Sequence, residues 1–170
     1  MRKLAVAVVA LGLALGSVPA AQAGIVSEKV GGSIGKVAKA ADADIQAFFA
    51  GYTFILKSRN VMPSFPFNGA SFVYFAPNGT LALWRGWGGD AKIYSGKWEA
   101  GWFGSRESLL CMTFAGINEG EPCVVIVSAR TLIQERAKGN VFGLKPGGKA
   151  PLVLKANQVD FKFVAKQLGL

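Results

Sequence analysis

The sequence predicts a mainly β domain, an antiparallel β-barrel or sandwich with a short N-terminal helix. About seven or eight short apolar runs follow one another at roughly 8–12-residue spacing, which is typical of such folds. Tight-turn residues separate several of these runs, as in Pro77-Asn78-Gly79. The only two cysteines, Cys111 and Cys123, each lie in one of the runs.

The first 23 residues have the three parts of a signal peptide. Met1-Arg2-Lys3 is basic, residues 4–15 are almost wholly apolar, and Ala21-Gln22-Ala23 is a small-x-small cleavage site. We expect cleavage to leave Gly24 at the N-terminus. No later stretch approaches about 18 consecutive apolar residues, so no integral membrane segment is expected after cleavage. The pattern predicts a periplasmic or secreted bacterial protein.

The 147 residues after the signal are enough for one domain with a sizeable core. Residues 24–41 are small and rich in glycine, and we expect a flexible leader there. Residues 42–170 then form a single β-barrel-like domain. It begins with a short helix over 45–50, capped by Asp42 or Asp44 and ended by Gly51.

The strands are predicted from apolar and alternating runs bounded by turn residues. The first six are Tyr52–Leu56, Ser71–Phe75, Thr80–Arg85, Lys92–Glu99, Leu109–Phe114 and Cys123–Val127. We expect two further segments, Arg130–Glu135 and Asn140–Leu144, to pair with each other. Val159–Val164 alternates apolar and polar residues and is expected to close the sheet.

Cys111 and Cys123 are expected to form one disulfide across the hairpin that their two strands make. Exported proteins meet an oxidising compartment, in which paired cysteines persist as disulfides. The closed loop is small, so the bond should stabilise the fold by about 2–3 kcal/mol.

The composition argues against an enzyme, a metal site and a cofactor. The chain has no histidine, which removes the commonest general base and metal ligand. Two cysteines alone cannot complete an all-cysteine zinc site. Carboxylates leave a glycosidase pair as an alternative, although several lie in predicted turns, where solvated acids are the rule. These carboxylates are Asp90, Glu99, Glu107, Glu119, Glu121 and Asp160.

The net charge is positive and dispersed along the chain. Removal of Arg2 and Lys3 lowers it only from +9 to +7, because all ten acidic residues follow the signal. This balance favours an anionic or amphipathic envelope ligand, or an acidic protein partner. The alternative is that the charge serves solubility alone. Nucleic acid is not expected as a partner, since no recognition motif is present.

Aromatic residues in predicted loops are the candidate ligand-binding residues. Trp84 and Trp98 lie in strands and are expected in the core. Trp87 and Trp102 lie in Gly-rich loops, where they either line a site or fold down onto the core. The candidate binding set adds two loop phenylalanines and two nearby arginines to these loop tryptophans. It comprises Trp87, Trp102, Phe65, Phe67, Arg85 and Arg106.

These observations predict an exported, non-catalytic binding domain, lipocalin-like in the sense of a calycin-type barrel. The ligand would be a small amphipathic molecule or a cell-envelope glycan, held by apolar burial at the barrel mouth and by cationic side chains. The alternative is a protein-interaction module, either an enzyme inhibitor or a secreted effector.

Several short motifs also occur in a characteristic order. They are Phe49-x-Gly51-x-Thr53, Val73-Tyr74-Phe75-x-Pro77-Asn78-Gly79-Thr80, Gly96-Lys97-Trp98, and Leu110-Cys111 followed by Cys123. Over residues 45–127 the chain resembles the small exported proteins of domain-of-unknown-function family 995, from alphaproteobacteria. The resemblance implies a compact β-fold with a disulfide. It implies no activity, because the matching positions are turn glycines, a core tryptophan and the cysteines.

Overall fold

A computed structural model describes residues 25–58, 69–85, 92–115, 123–153 and 160–170. Its main element is one curled, half-barrel sheet of eight antiparallel strands in the order β1-β8-β2-β3-β4-β5-β6-β7. The strands are β1 Ser27–Lys29, β2 Tyr52–Ser58, β3 Gly69–Phe75, β4 Thr80–Arg85, β5 Ile93–Gly101, β6 Leu109–Phe114, β7 Cys123–Val125 and β8 Ile133–Lys138. The helices are α1 Ile34–Val37, α2 Asp42–Phe49 and α3 Phe161–Leu168, with a 3₁₀-helix at Ser128–Thr131. The predicted mainly antiparallel β-fold is therefore confirmed.

The sheet carries an apolar core on each of its faces. On the inner face, strand residues such as Phe54 and Val73 pack with α1, α2 and the 3₁₀-helix. On the outer face, Phe72 and Trp84 pack with Phe142 and with α3. Neighbouring residues of a strand point to opposite faces, so β3 is apolar at consecutive positions where both faces are covered.

Helix α2 fits the predicted helix and begins three residues earlier than expected. Ile45, Phe48 and Phe49 recur at helical spacing and are buried against the sheet. Gly51 follows with a φ of +79°, a conformation that glycine adopts without strain. The predicted aspartate cap is wrong, since no side chain caps the helix. The Asp42 carboxylate instead accepts a hydrogen bond from the backbone of Trp102.

The segment 24–41, predicted as a flexible leader, contains regular structure from Ser27 onward. Strand β1 pairs with β8, and the Val30 amide continues the ladder by donating to the Gln134 carbonyl at 3.1 Å. Val30 and Ile34 are buried in the inner core. The glycines of this segment lower its helix propensity, but tertiary packing of its apolar side chains outweighs that effect.

The pairing predicted for residues 130–144 is wrong. Strand β8 pairs with β2 and β1, and residues 140–144 form a turn. The Asn140 side chain accepts from the Leu144 amide at 2.7 Å and donates to the Leu144 carbonyl at 2.8 Å. Because an asparagine side chain can satisfy backbone groups locally, this segment needs no strand partner.

The strand predicted at Val159–Val164 is also wrong, because α3 begins at Phe161. The Asp160 carboxylate caps the helix by accepting from the Phe163 amide at 3.0 Å. Phe161, Val164 and Ala165 are buried at helical spacing. Gly169 ends the helix in the left-handed conformation, with a φ of +70°.

The predicted disulfide is confirmed. Cys111 and Cys123 face each other in the β6–β7 register and are bonded. The predicted β3–β4 hairpin is present as well. Its turn has Gly79 at a φ of +80°, and the Asn78 side chain accepts hydrogen bonds from the Thr80 amide and hydroxyl.

Candidate functional site

The inner face of the sheet is filled by the protein's own side chains in the described ranges. Phe49 projects from α2 into a cluster of rings, with centroids 5.5 Å from Phe54 and from Phe75 and 6.3 Å from Trp98. Phe49, Phe54 and Phe75 are all fully buried. Helix α2 therefore occupies the space in which a lipocalin-like barrel would hold its ligand.

Trp102 contributes to this core. Its indole N–H donates to the Ala40 carbonyl at 2.9 Å, and its ring packs against the inner core. Its backbone amide donates to Asp42 Oδ1 at 2.9 Å. Two hydrogen bonds thus fasten Trp102 to the start of α2, which corresponds to the alternative in which this residue folds down onto the core.

The neighbour of Trp102 is the more accessible aromatic residue. Phe103 is 50% exposed and has a φ of +46°, in a turn closed by the Ser105 amide donating to the Trp102 carbonyl at 2.7 Å. A bulky residue with positive φ is strained, because its Cβ approaches the following carbonyl. Arg106, in the same loop, is exposed. This loop therefore presents an exposed ring on a strained backbone, together with one exposed cation.

Of the remaining predicted binding residues, Arg85 lies at the opposite end of the strands. Arg85 ends β4, opposite Ser71, next to the register pair of Trp84 and Ile93. Trp87, Phe65 and Phe67 lie outside the described residues. At about 3.3 Å per residue, β5 separates this end from Trp102 and Arg106 by roughly 30 Å. The structure therefore does not bring Trp102 and Arg106 together with Arg85.

A groove lies instead on the outer face of β5 and β6, beside the β3–β4 turn. Its volume is about 410 Å³, and its lining residues are Asn78, Gly79, Thr80, Lys97, Trp98, Glu99, Cys111 and Thr113. Lys97 is flanked in register by Thr80 on one side and Thr113 on the other. Glu99 lies two residues further along, opposite Cys111 of the disulfide.

The lining of the groove exposes more apolar than polar surface, and its side chains have mixed hydrogen-bonding capacity. Lys97 and Glu99 are exposed, and Thr113 is half-buried. An ammonium group donates, a carboxylate accepts, and a hydroxyl does both. Such a set suits a ligand with several hydroxyl groups.

Sequence reasoning missed this groove, although part of its signal was visible. Lys97 and Glu99 flank the buried Trp98, which is the alternation of a strand with one face open. The remaining contributions come from β4, β6 and the β3–β4 turn, and depend on strand register.

Several described carboxylates have structural partners. Asp42 and Asp160 accept backbone hydrogen bonds, at the start of α2 and of α3. Glu28 forms an ion pair with Arg136 at 2.6 Å, and Glu135 accepts from the Ser27 hydroxyl. Among the residues that the structure describes, no group of three or more acids and cysteines is placed to hold a metal ion.

Arg136 is a structural clamp rather than a free cation. It donates to the Phe48 carbonyl at 2.6 Å and lies over the rings of Phe48 and Tyr52, 4.3 and 4.1 Å from their centroids. With its ion pair to Glu28, it ties together β1, α2 and β2.

No described helix has the length and apolar character needed to cross a membrane. No protein-family model matches the chain, and neither curated protein sequences nor solved structures yield a match. The resemblance to domain-of-unknown-function family 995 stays a prediction.

Proposed function

We propose that this protein is an exported, non-catalytic binding domain that holds a cell-envelope glycan in the outer-face groove of β5 and β6. One observation carries the proposal. Side chains fill the inner face, whereas the outer groove stays open and is lined by Lys97, Glu99 and Thr113. The ligand class follows from this chemistry, because sugar hydroxyls both donate and accept hydrogen bonds.

The packed inner face favours the glycan over the small amphipathic ligand. An amphipathic molecule needs an apolar cavity to bury its chain. Phe48 and Phe49 occupy that position on the inner face, and the groove offers charged and hydroxyl side chains in its place.

A non-catalytic role is supported by how the reactive groups are used. Both cysteines are in the disulfide and therefore have no thiolate for attack. Asp42 and Asp160, which precede or start helices, accept backbone hydrogen bonds. Glu99 is exposed at the groove, where its carboxylate can accept hydrogen bonds from hydroxyl groups of a ligand.

The test is direct binding of envelope saccharides to groove variants. Fragments released from the cell wall and from outer-envelope polysaccharide are titrated against the protein by calorimetry and native mass spectrometry. Glu99→Gln and Lys97→Met each remove one charged hydrogen-bonding group, and we expect each to weaken binding about tenfold. Glu107→Gln and Lys39→Met make the same changes at exposed positions outside the groove and should bind normally.

Two results would count against the glycan proposal. One is binding that the Glu107 and Lys39 variants weaken as much as the groove variants do. The other is the absence of binding to any fragment by a folded, disulfide-bonded protein.

A second candidate function is a protein-interaction module, and Phe103 is the observation that favours it. Backbone strain at an exposed aromatic residue is the kind of feature that functional sites retain. The hydrogen bonds of Trp102 and the Ser105 hydroxyl, which donates to the Glu107 carbonyl at 2.6 Å, hold the loop in one shape. A preorganised aromatic ring loses little freedom on binding.

The two candidates can be separated by cross-linking in envelope preparations. A partner that depends on Phe103, and is lost in Phe103→Gly but retained in Glu99→Gln, supports the interaction module. A cross-link that survives Phe103→Gly excludes this ring as the anchor.

A further inference from the structure

The segment that covers the outer core is strongly basic. We define the C-terminal cover as residues 140–153 and 160–170, which include Phe142, Leu144 and α3 of the outer core. The cover contains four lysines, Lys145, Lys149, Lys162 and Lys166, and one acid, Asp160. All four lysines are exposed, whereas the Asp160 carboxylate caps α3. The cover therefore has a cationic surface whose single acid already has a hydrogen-bond partner.

Three of these lysines lie next to a like charge within the fold. Lys149 lies directly opposite Lys92 in an antiparallel bridge, beside the hydrogen bond from the Ile93 amide to the Gly148 carbonyl at 3.0 Å. Like charges directly opposite on neighbouring strands are destabilising. Lys162 and Lys166 are four residues apart on α3, so they repel each other as well.

The described residues supply no ion-pair partner for these lysines. Lys92 lies over the ring of Tyr94, 4.8 Å from its centroid, which is a contact that leaves its charge unneutralised. A fold that retains two repulsive pairs of lysines is suited to a ligand that carries several negative charges.

Exposed apolar side chains accompany this charge. Val153 is 70% exposed and Leu170 is 48% exposed. Each is one or two residues from a side chain that packs against the outer core, namely Leu152 and Leu168. The cover thus presents both lysines and large apolar side chains.

We propose that the C-terminal cover docks this protein onto the surface of an anionic lipid bilayer. Lysine ammonium groups would contact lipid phosphates, and the exposed apolar side chains would enter the boundary between headgroups and acyl chains. A soluble polyanion would satisfy the charges alone. The exposed Val153 and Leu170 are the reason for choosing a membrane.

The glycan groove and the C-terminal cover occupy different parts of the outer face. The groove lies on β5 and β6 beside the β3–β4 turn, outside the set of residues that the cover packs against. The docking proposal does not depend on the glycan proposal, and the two are tested with different probes.

The experiment is co-sedimentation of the natural protein with lipid vesicles, after its N-terminus has been identified by mass spectrometry. Vesicles of phosphatidylcholine mixed with phosphatidylglycerol are compared with vesicles of phosphatidylcholine alone. We expect binding to the anionic vesicles only, and weaker binding at high salt. A lysine near an anionic surface contributes about fivefold in affinity, so Lys92→Gln/Lys149→Gln should bind roughly 25-fold more weakly.

The matched control is Lys36→Gln/Lys39→Gln, which makes the same change in net charge. Lys36 lies in α1 and Lys39 just after it, with the elements of the inner core. We expect the control to lose less than half as much binding free energy as the cover variant. Val153→Ser tests the apolar contribution and should weaken binding to vesicles but not to inorganic polyphosphate.

The outcomes are decisive in either direction. Selective loss in the cover variant, together with an effect of Val153→Ser on vesicles only, supports docking. Equal loss in both lysine variants would mean unspecific attraction by net charge and would overturn the proposal. Binding to polyphosphate but not to anionic vesicles would assign the lysines to a soluble polyanion and would also overturn it.

Discussion

The inner and outer faces of the sheet are built from the same strands but are covered differently. On the inner face, α1, α2 and the 3₁₀-helix contribute Ile34, Phe49 and Ala129 to one core that extends across the sheet from β8 to β7. On the outer face, the C-terminal cover packs on one part of the sheet, including Phe72 and Trp84. Beyond that part, β5 and β6 present Lys97, Glu99 and Thr113.

This difference separates stability from recognition in the molecule. The described inner face is filled by packed rings, whereas the outer face has an uncovered groove with charged and hydroxyl side chains and a cationic cover. In many barrels a ligand lies inside and the outer surface is inert. Here the outer face is the one with space and charge available, so mutations on the two faces should have different consequences.

The largest effect is expected at the centre of the inner core. Phe49→Ala removes a fully buried ring that contacts Phe54, Phe75 and Trp98, and should lower the free energy of unfolding by about 4 kcal/mol. Phe163→Ala removes the same ring from the half-buried layer on the outer core and should cost less than half as much. Urea denaturation of the two variants measures the difference. A larger loss for Phe163→Ala would reverse the assigned roles of the two faces.

The disulfide makes the next largest contribution to stability, and it lies at the edge of the part of the outer face that the cover does not reach. Cys111→Ser/Cys123→Ser should lower the free energy of unfolding by about 2–3 kcal/mol, because the bond closes a loop between residues 12 apart. Thermal unfolding with and without reductant measures this effect. Reductant should lower the melting temperature of the wild type and leave the double variant unchanged. An unchanged wild type would show that β7 is held by its ladder alone.

Local signals predicted the central part of the fold. The β3–β4 hairpin follows from Pro77-Asn78-Gly79 between two apolar runs, and the cysteine strands follow from their composition and spacing. Residues 159–164 were predicted as a strand because six residues are too few to distinguish the two-residue period of a strand from the 3.6-residue period of a helix. Phe161 and Phe163 alternate, but Phe161, Val164 and Ala165 also share one helical face. Packing against Phe72 and Phe142 decided between them, and the sequence does not display those contacts.

The candidate site was harder to predict for the same reason. The indole of Trp102 binds the carbonyl of Ala40, which is 62 residues earlier in the chain. A Gly-rich loop around a tryptophan gives no sign of such a contact. The groove likewise depends on where the C-terminal cover ends, which is a property of the tertiary fold. Composition could still restrict the chemistry, since a chain without histidine has few catalytic options.

The N-termini of α3 and α2, of which only the first has a side-chain cap, provide a sharper comparison of the two faces. Asp160→Ala removes the hydrogen bond to the Phe163 amide and should cost about 1 kcal/mol. Asp44→Ala removes an acid from the first turn of α2, where no side chain caps the helix, and should cost at most about 0.5 kcal/mol.

Hydrogen exchange locates the effect of each aspartate variant. Faster exchange in Asp160→Ala should be confined to α3 and its contacts on the outer core, if the cover is a separate layer. Exchange that accelerates equally in α2 would show that the two faces unfold together.

A small gain in stability is expected at the loop that joins β5 to β6. Phe103 and Gly104 are consecutive residues with positive φ, +46° and +72°, inside a turn closed by Ser105 and Trp102. Two central residues with positive φ are characteristic of a type I′ turn, where glycine or asparagine is preferred. Phe103→Gly removes the Cβ strain but increases the freedom of the unfolded chain. The net gain should be about 0.5–1 kcal/mol, measured as a higher melting temperature.

Phe103→Ala is the control that separates the ring from the backbone. It removes the ring but keeps the Cβ, so it should show no gain. If Phe103→Gly proved less stable than Phe103→Ala, contacts of the ring would be holding the turn, and the strain would have no functional meaning. If Phe103→Gly is more stable, the chain retains a ring at the cost of stability at a 50% exposed position. That result would favour a binding role for this end of the sheet, because selection for folding alone would place glycine there.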